Sequence, residues 1–291
     1  MGEIISGKEL SKEVREEVRI EVESLKATYG AVPHLAVVLV GSDPASESYV
    51  KAKGRACRRA GMDSTIIRKE SDISEAELLE IISDLNSDKG VHGILVQLPI
   101  PKHINEDKVI DAISIEKDVD GFHPLNVAYM HLGRPCILPA TPMGIMTMLK
   151  SKNIALKGKD ALIIGRSNLV GKPVAMLLMA EHATITIAHS RTQNLKEKCL
   201  QADIIVAAVG RAHTVTKDMV KKGAVIVDVG VNRIDGKLVG DCDFDDLKDI
   251  ASFITPVPGG VGPMTITSLL QNTIECFRKS MEKWLSVIEE K

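Results

Sequence analysis

The sequence predicts an α/β protein of two domains, each built on a mainly parallel sheet. Three observations support this fold class. Short strand-like runs alternate with amphipathic helical patterns along nearly the whole chain, an order typical of parallel sheets covered by helices on both faces. The length of 291 residues is enough for about two domains. A proline-rich stretch from Pro135 to Pro142 separates two series of alternating elements.

The first series starts with a helical pattern at residues 9–28, where apolar residues recur every three or four positions. We expect strands at residues 34–40, 64–68 and 93–98. Between the first two strands, Asp43 and Pro44 are suited to the cap and first position of a helix that Gly61 can end. A further helix at 74–86 has a capping serine at its start.

The second series has strand patterns at residues 160–164, 184–188, 203–208 and 224–229. A helical period returns after Thr265. This last helix can pack back on the first domain. We therefore predict one domain over residues 1–143, completed by the C-terminal helix 265–291, and a second domain over residues 144–264 with a cleft between the two.

Composition excludes several functional classes. The 37 basic and 39 acidic residues leave a charge of −2, and aromatic residues are only 3%, so we expect no nucleic-acid partner. Five cysteines without a C-x-x-C pair indicate neither a disulfide framework nor a metal site. No apolar stretch approaches the length of a membrane span. We expect a cytoplasmic protein with no membrane partner.

The turn from Gly165 to Pro173 follows a strand and opens a helix, which is the setting of a phosphate-binding turn in a Rossmann-like domain. It departs from the G-x-G-x-x-G pattern, because Ser167 replaces the second glycine and Gly171 comes one residue late. An ordinary strand-to-helix turn of a parallel sheet is the alternative. The pattern alone does not decide between them.

The end of the next strand indicates which dinucleotide is bound. An acidic residue there normally binds the ribose hydroxyls of NAD, whereas a cation accommodates the extra phosphate of NADP. The sequence reads His189, Ser190, Arg191 without an acid, and Arg166 lies on the preceding turn. We therefore favour NADP, although a solvated surface role for Arg191 stays open.

A second group of residues indicates a chemical site. Tyr49 and Lys53 lie four residues apart and so share one face of a helix. A lysine can act as a base near neutral pH when burial or nearby positive charge lowers its pKa. Gln97 interrupts an apolar strand at its carboxyl end, where open parallel sheets bind ligands. A solvated basic helix face is the alternative for Tyr49 and Lys53.

Two loops complete this group. In the turn after Asp118, Asp120 is placed to accept hydrogen bonds from a heterocycle, or either carboxylate simply caps the turn. The segment from Thr255 to Thr265 holds three glycines and three prolines, which makes it a rigid loop that can approach a ligand closely. An interdomain connection is the alternative for this loop.

Taken together, these segments resemble the bifunctional methylenetetrahydrofolate dehydrogenase/cyclohydrolase family over nearly the whole chain. Five motifs in family order carry the resemblance: Tyr49–Lys53, Gly93–Pro99, Asp118–Pro124, Gly165–Pro173 and Pro256–Thr265. The resemblance implies oxidation of 5,10-methylenetetrahydrofolate to the 5,10-methenyl form with NADP, followed by hydrolysis to 10-formyltetrahydrofolate. It also implies a homodimer and tetrahydrofolate substrates that include polyglutamylated forms.

The resemblance also implies roles for individual residues. Tyr49 would stack on the folate, Lys53 would activate or position water, Gln97 would tune Lys53, and Asp120 would anchor the pterin. Further folate contacts would come from residues beside Gln97 and in the glycine- and proline-rich loop: Val96, Leu98, Pro258, Gly259, Gly260, Gly262 and Pro263. The dinucleotide contacts would come from Gly165, Arg166, Ser167, Ser190, Arg191 and Val231.

Three alternatives stay open from sequence. A monofunctional dehydrogenase of the same family would lack the hydrolytic step. A different Rossmann-type dehydrogenase acting on a small acid would leave Tyr49, Lys53 and Gln97 unexplained. A catalytically silent folate-binding protein would bind folate without turnover.

Overall fold

The computed structural model describes residues 2–289, with side chains described up to residue 283. These residues form two compact units. One unit contains the residues up to Lys12 together with Thr141–Thr265, and we call it the six-stranded unit after its main sheet. The other contains Glu13–Ala140 together with the helix from Ile266 onward, and we call it the three-stranded unit.

The elements of the first half of the chain are β1 Glu3–Ile4, α1 Gly7–Tyr29, β2 His34–Val40, α2 Pro44–Arg59, β3 Asp63–Lys69, α3 Glu75–Ser87, β4 Gly93–Val96, α4 Glu106–Ala112 and α5 Pro124–His131. Those of the second half are α6 Ala140–Ser151, β5 Asp160–Ile164, α7 Gly171–Ala180, β6 Thr184–Ala188, α8 Leu195–Gln201, β7 Ile204–Ala207, a 3₁₀ turn at Lys217–Met219, β8 Val225–Asp228, β9 Asn232–Ile234, β10 Lys237–Val239, α9 Phe244–Leu247, β11 Phe253–Ile254 and α10 Val261–Glu289.

The sheet of the three-stranded unit has the order β3-β2-β4, and all its strands are parallel. Central strand β2 is buried on both faces because its side chains alternate between two apolar clusters. Leu35 and Val37 pack in the cluster that includes Phe277 of α10, whereas Ala36 and Val38 pack in the cluster of α3. The sheet is thus covered on both sides, as the alternating pattern predicts.

The sheet of the six-stranded unit has the order β1-β11-β8-β7-β5-β6, and every pair in it is parallel. Its strands therefore all end at one edge of the sheet. Buried residues of β5, β7 and β8, among them Leu162, Ile205 and Ile226, form the core on one face. Strands β9 and β10 form a separate antiparallel hairpin.

The N-terminal residues are where the structure differs from the predicted first domain. Glu3 and Ile4 pair in parallel with Phe253 and Ile254, and the Ile5 N–H donates to the Ile254 carbonyl at 2.8 Å. This pairing places the residues up to Lys12 in the six-stranded unit and not with residues 13–140. Strands of two residues carry no alternation that could be read from sequence.

The end of β4 and the start of α10 also differ from the predicted positions. The strand expected at 93–98 ends at Val96, although the Gln97 N–H still donates to the Val38 carbonyl at 2.8 Å. The helix expected after Thr265 begins at Val261, so Gly262 and Pro263 lie in its first turn. A proline is accepted there because the N–H groups of the first turn have no partner within the helix.

All five cysteines are free thiols, and four of them are buried. Among residues 2–289, no helix is long and apolar enough to cross a membrane. Within the same described range, no three His, Cys, Asp or Glu side chains form a group that could hold a metal ion.

Phe277 provides a test of the core of the three-stranded unit. Its side chain is fully buried and makes edge-to-face contacts with the rings of Tyr29 and His92, at centroid distances of 5.8 and 4.7 Å. We expect Phe277→Ala to lower the free energy of unfolding by about 3–5 kcal/mol because it leaves a cavity. Urea unfolding followed by circular dichroism measures the change.

Leu132→Ala is the matched control, since Leu132 is 61% exposed. We expect it to change the free energy of unfolding by about 0.5 kcal/mol or less. Equal losses in the two variants would contradict this account of the core.

Candidate active site

Helix α2 sets the positions of Tyr49 and Lys53. Its start is fixed by Asp43, whose carboxylate accepts from the Ser46 N–H at 2.7 Å, and by Pro44 in the first turn. Tyr49 and Lys53 then fall one turn apart on the same face, and the Lys53 Nζ lies 5.1 Å from the centroid of the Tyr49 ring. The two side chains therefore lie side by side, as their four-residue spacing predicts, and their roles in a site stay predictions.

Lys53 is one of the buried charged residues of the chain, with only 5% of its surface exposed. Its Nζ donates to Gln97 Oε1 at 3.0 Å. The Gln97 amide nitrogen donates in turn to the Leu98 carbonyl at 2.7 Å, which keeps the oxygen turned toward the lysine. The structure therefore brings a residue of α2 and a residue after β4 into direct contact, and a solvated helix face does not describe Lys53.

Burial lowers the pKa of Lys53, and the nearby Asp120 carboxylate opposes that shift. A buried ammonium with one amide acceptor gives up its proton more readily than a solvated lysine does. This environment suits an amine that takes and returns a proton during a reaction.

The turn between α4 and α5 is organised by Asp118, whose carboxylate is buried. It accepts from the backbone N–H groups of Gly121 at 3.0 Å and His123 at 2.9 Å, and from the Asn126 side chain at 2.8 Å. Gly121 has a φ of +71°, and a Cβ there would lie 2.7 Å from the Leu138 carbonyl carbon. Of the two acids that sequence left open, Asp118 is the one that caps the turn.

Asp120 is different, because no residue among those the structure describes donates a hydrogen bond to its carboxylate. Burial raises the pKa of Asp120 to about 6, with Lys53 lowering it and Asp118 raising it further. The carboxylate is therefore an acceptor held near Lys53 whose hydrogen-bonding capacity is not used by the fold.

Two asparagines that sequence analysis missed support this turn. Asn126 Oδ1 accepts from the Ile137 N–H at 3.2 Å. The Asn272 amide nitrogen donates to the carbonyls of Val119 and Leu138, both at 2.8 Å. Asn126 lies within reach of the Asp118 motif in sequence, but nothing in the sequence indicates that Asn272 of α10 contacts a turn about 150 residues away.

Residues Val96 and Leu98 flank Gln97 at the end of β4. Val96 is buried as the last residue of the strand, and Leu98 is half-buried just beyond it. Both predicted contacts therefore lie on the same stretch of chain as the Lys53 partner.

In the six-stranded unit, the turn after β5 has the close backbone packing that a phosphate-binding turn needs. Gly165 has a φ of +125°, and a Cβ on it would overlap the Ala208 carbonyl oxygen. Its N–H donates to the Ala188 carbonyl at 2.8 Å, which joins this turn to the end of β6. Ser167 Oγ accepts from the N–H groups of Val170 and Gly171, at 3.1 and 3.3 Å.

The cations expected near this turn are exposed at the ends of β5 and β6. Arg166, Ser190 and Arg191 all lie on the surface. Within the described part of the chain neither arginine forms an ion pair with a carboxylate. The tight turn from His189 to Thr192 is fixed by the Thr192 hydroxyl, which accepts from the His189 N–H at 2.8 Å. The residues present fit an anionic dinucleotide with a phosphate on the adenosine side.

The glycine- and proline-rich loop also belongs to the six-stranded unit. The Gly259 carbonyl accepts from the Lys8 N–H at 2.8 Å, and Gly259 has a φ of +100°. A Cβ on Gly260 would overlap the Pro256 carbonyl oxygen. Pro258, the residue before Gly259, is exposed, and the Val257–Pro258 peptide bond is cis. The predicted folate contacts thus fall into two groups, one in each unit.

The comparisons with known proteins match both parts of the chain. The model for the tetrahydrofolate dehydrogenase/cyclohydrolase catalytic domain matches residues 5–120, and that for the NAD(P)-binding domain of the same family matches residues 139–281. The bifunctional protein FolD of Brevibacillus brevis is 57% identical over 281 residues, covering 96% of this chain and 99% of that protein. FolD of Moorella thermoacetica is 56% identical over 278 residues, covering 95% and 99%.

Solved structures agree with these matches. The bifunctional FolD enzyme of Campylobacter jejuni has a TM-score of 0.94 at 47% identity, covering 96% of this chain and 99% of that one. The Trypanosoma brucei methylenetetrahydrofolate dehydrogenase-cyclohydrolase, solved with NADP cofactor and an inhibitor, has a TM-score of 0.93 at 34% identity and covers 96% and 98%. On sequence and fold together, the chain belongs to the tetrahydrofolate dehydrogenase/cyclohydrolase family.

Proposed function

We propose that the chain is a bifunctional enzyme of folate one-carbon metabolism. It oxidises 5,10-methylenetetrahydrofolate to 5,10-methenyltetrahydrofolate with NADP and then hydrolyses the product to 10-formyltetrahydrofolate. The observation that carries the proposal is the buried Lys53 amine bonded to Gln97 beside Tyr49 and Asp120. A dehydrogenase of a different family acting on a small acid would leave the grouping of Tyr49, Lys53 and Gln97 unexplained.

For the first reaction, NADP supplies the carbon that accepts the hydride. The six-stranded unit would hold NADP through the Gly165–Gly171 turn and the start of α7. Backbone N–H groups and the helix dipole favour a pyrophosphate at this position. Arg166, Ser190 and Arg191 would hold the 2′-phosphate, and Val231 would lie near the nicotinamide. Hydride transfer needs no acid or base when the two carbons are well placed, so the protein contributes mainly by positioning.

For the second reaction, water adds to the methenyl carbon, the bond from this carbon to N5 then breaks to leave the formyl group on N10, and one proton leaves overall. The Lys53 amine would accept that proton, since burial lowers its pKa and favours its neutral form. Gln97 Oε1 accepts a hydrogen bond from the lysine and holds it in place. The Tyr49 ring would stack on the folate heterocycle and shield the reacting carbon from bulk water.

Asp120 would anchor the pterin by accepting hydrogen bonds from its amino and ring N–H groups. Val96 and Leu98 would contact the same substrate from the end of β4. The other predicted folate contacts, Pro258, Gly259, Gly260, Gly262 and Pro263, belong to the six-stranded unit, where close backbone packing holds the loop.

Three further features belong to the proposed function. Exposed arginines near Lys53 on α2, among them Arg55 and Arg59, supply positive charge for the polyglutamate tail of a folate. A homodimer stays a prediction from the family resemblance, and size-exclusion chromatography with light scattering tests it. A cytoplasmic location is supported by the five free thiols.

One assay separates this function from its alternatives. The purified protein is mixed with methylenetetrahydrofolate and either NADP or NAD, and the reduced nicotinamide, methenyl intermediate and formyl product are followed over time. Formyl product with NADP supports the proposal. Methenyl that accumulates and decays only at its uncatalysed rate favours a monofunctional dehydrogenase, and folate binding without turnover favours a silent binder.

Lys53→Met tests the division of labour between the two reactions. The change removes the amine but keeps most of the buried chain, so we expect the cyclohydrolase kcat to fall by about 10²- to 10⁴-fold. The dehydrogenase kcat should fall far less, because hydride transfer needs no base. Lys51→Met is the control, since Lys51 is an exposed residue of the same helix, paired with Glu47. Equal loss of both activities with folate binding intact would refute the division.

Arg166→Ala tests the phosphate site. Loss of a charge-assisted hydrogen bond of about 1.5–3 kcal/mol should raise the KM for NADP by about ten- to a hundredfold. The KM for NAD should change little because NAD lacks the 2′-phosphate. Steady-state kinetics with both cofactors measures the ratio, and Lys196→Ala, an exposed cation of α8 paired with Asp218, is the control. An unchanged ratio of the two KM values would remove Arg166 from the site.

Asp120→Asn tests whether the buried carboxylate of Asp120, which is proposed to bind the pterin, lowers the stability of the folded protein. The pKa of Asp120 is raised from 3.8 to about 6, so its ionised form is less favourable in the folded than in the unfolded protein. Above about pH 6 the full free-energy cost of the ionised carboxylate is present, and it decreases between about pH 6 and pH 4. Below about pH 4 the cost is absent, because Asp120 is then protonated in both the folded and the unfolded protein. The variant should therefore be more stable than wild type above pH 6, by at most about 3 kcal/mol.

Urea unfolding at several pH values measures this difference, and isothermal titration calorimetry should give weaker folate binding for the same variant. Asp111→Asn, an exposed acid in α4, is the control. A stability difference that does not depend on pH would contradict the assignment.

A further inference from the structure

Two buried carboxylates in the six-stranded unit lie outside every motif considered so far. Asp228 ends β8 and Asp241 follows the β9–β10 hairpin, and their exposed fractions are 2% and 0%. Burying two acids near each other is costly unless donors surround them, and burial raises the pKa of Asp228 to about 6. Apolar residues would fill the same volume without that cost, which suggests a role other than stability.

Asp241 collects donors from two loops. Its carboxylate accepts from three consecutive backbone N–H groups after β7: Val209 at 2.6 Å, Gly210 at 3.0 Å and Arg211 at 2.8 Å. It also accepts from the Asn232 side chain at 2.9 Å. A single side chain therefore joins the loop after β7 to the segment after β8.

Asp228 extends the same network to a third loop. Its carboxylate accepts from the N–H groups of Gly230 at 3.0 Å, Asp241 at 2.9 Å and Cys242 at 2.8 Å. Its own N–H donates to Thr255 Oγ1 at 2.7 Å. Thr255 opens the glycine- and proline-rich loop, so the loops after the adjacent strands β7, β8 and β11 are held together.

Close packing makes this arrangement specific. A Cβ on Gly230 would overlap the Asp241 carboxylate, and a Cβ on Gly240 would overlap that of Asp228. Two exposed valines are presented by the loops so fixed, Val209 at 39% and Val231 at 65%. Large exposed apolar side chains on well-anchored loops are suited to contact a ligand ring.

The order of the strands shows which half of the dinucleotide these loops face. The turn expected to bind the pyrophosphate follows β5. The adenosine half of the dinucleotide binds at the end of β6, which lies next to β5 on one side. Strands β7 and β8 lie on the opposite flank. The nicotinamide half of a dinucleotide that crosses the β5 turn therefore extends over the ends of β7 and β8.

We propose that Asp228 and Asp241 are positioning residues for the nicotinamide half of NADP, which they serve by locking the loops that present Val209 and Val231. The inference rests on the dehydrogenase reaction proposed above. The adenosine half of the cofactor is assigned to other residues, among them Arg166 and Arg191. A change at Asp241 should therefore weaken the binding of the nicotinamide half and leave that of the adenosine half nearly unchanged.

The test compares the affinities of NADP and adenosine 2′,5′-bisphosphate, which lacks the nicotinamide half, by isothermal titration calorimetry. In Asp241→Asn one carboxylate oxygen becomes an NH₂ group that faces N–H donors, so the loops cannot keep their present bonds. We expect the bisphosphate to bind within twofold of its wild-type affinity and NADP to bind several-fold more weakly. The dehydrogenase kcat should fall by about tenfold or more, while the cyclohydrolase kcat stays near wild type.

Asn232→Ala covers the case in which Asp241→Asn does not fold, because it removes one donor and leaves the three backbone N–H groups on Asp241. It should shift the affinity ratio in the same direction by a smaller factor. Asp245→Asn is the control, since Asp245 is an 86% exposed acid of the same unit.

A ratio of NADP to bisphosphate affinity within twofold of wild type in the folded variants overturns the proposal, including when both affinities fall together. Absence of NADP reduction by the wild-type protein would instead count against the proposed function itself.

Discussion

Burial of the Lys53 amino group is the constraint on which the three-stranded unit depends. An ammonium removed from water needs an acceptor and a countercharge, and the fold provides each from a different element. Gln97 after β4 accepts the hydrogen bond, and Asp120 supplies the opposite charge. The parallel pairing of β2 with β4 brings the end of β4 to the helix that carries the lysine. Loss of the Gln97 side chain would leave the buried amine without its hydrogen-bond acceptor.

Both units use a buried carboxylate to order a loop. A buried carboxylate gathers the backbone N–H groups of a loop, and a neighbouring residue of that loop is left available to a ligand. Asp118 holds the turn that carries Asp120, and Asp241 holds the loops that carry Val209 and Val231. Charge-assisted bonds to a carboxylate are stronger than those between neutral groups, so a few acids can order a loop that has no regular structure of its own.

Much of the fold and of the site could be predicted from the sequence because the signals are local. The cap at Asp43, the four-residue spacing of Tyr49 and Lys53 and the apolar run of β2 each follow from residues close together in the chain. The pairing of β1 with β11 could not be predicted, because two residues carry no period and the partners lie about 250 positions apart.

The site residues show the same limit. A glutamine at the end of an apolar strand has to find a partner, so its contact with a nearby lysine could be anticipated. Asn272 and Asp241 act through contacts that only the folded chain creates, and in sequence one is a polar residue of a helix and the other an acid in a loop. Which of Asp118 and Asp120 caps the turn also depended on the path of the backbone, since both have the chemistry to do it.

The departure of the turn after β5 from the G-x-G-x-x-G pattern now has a physical account. Ser167 stands where a second glycine is usual, and its hydroxyl accepts the N–H groups of Val170 and Gly171. A turn that uses part of its own donors in this way offers fewer of them to an anion than a glycine turn does. More of the attraction must then come from side-chain cations, and Arg166 and Arg191 lie exposed on this turn and the next. Because a 2′-phosphate adds negative charge that such cations can meet, the local chemistry that departs from the glycine pattern is also the chemistry that favours NADP over NAD.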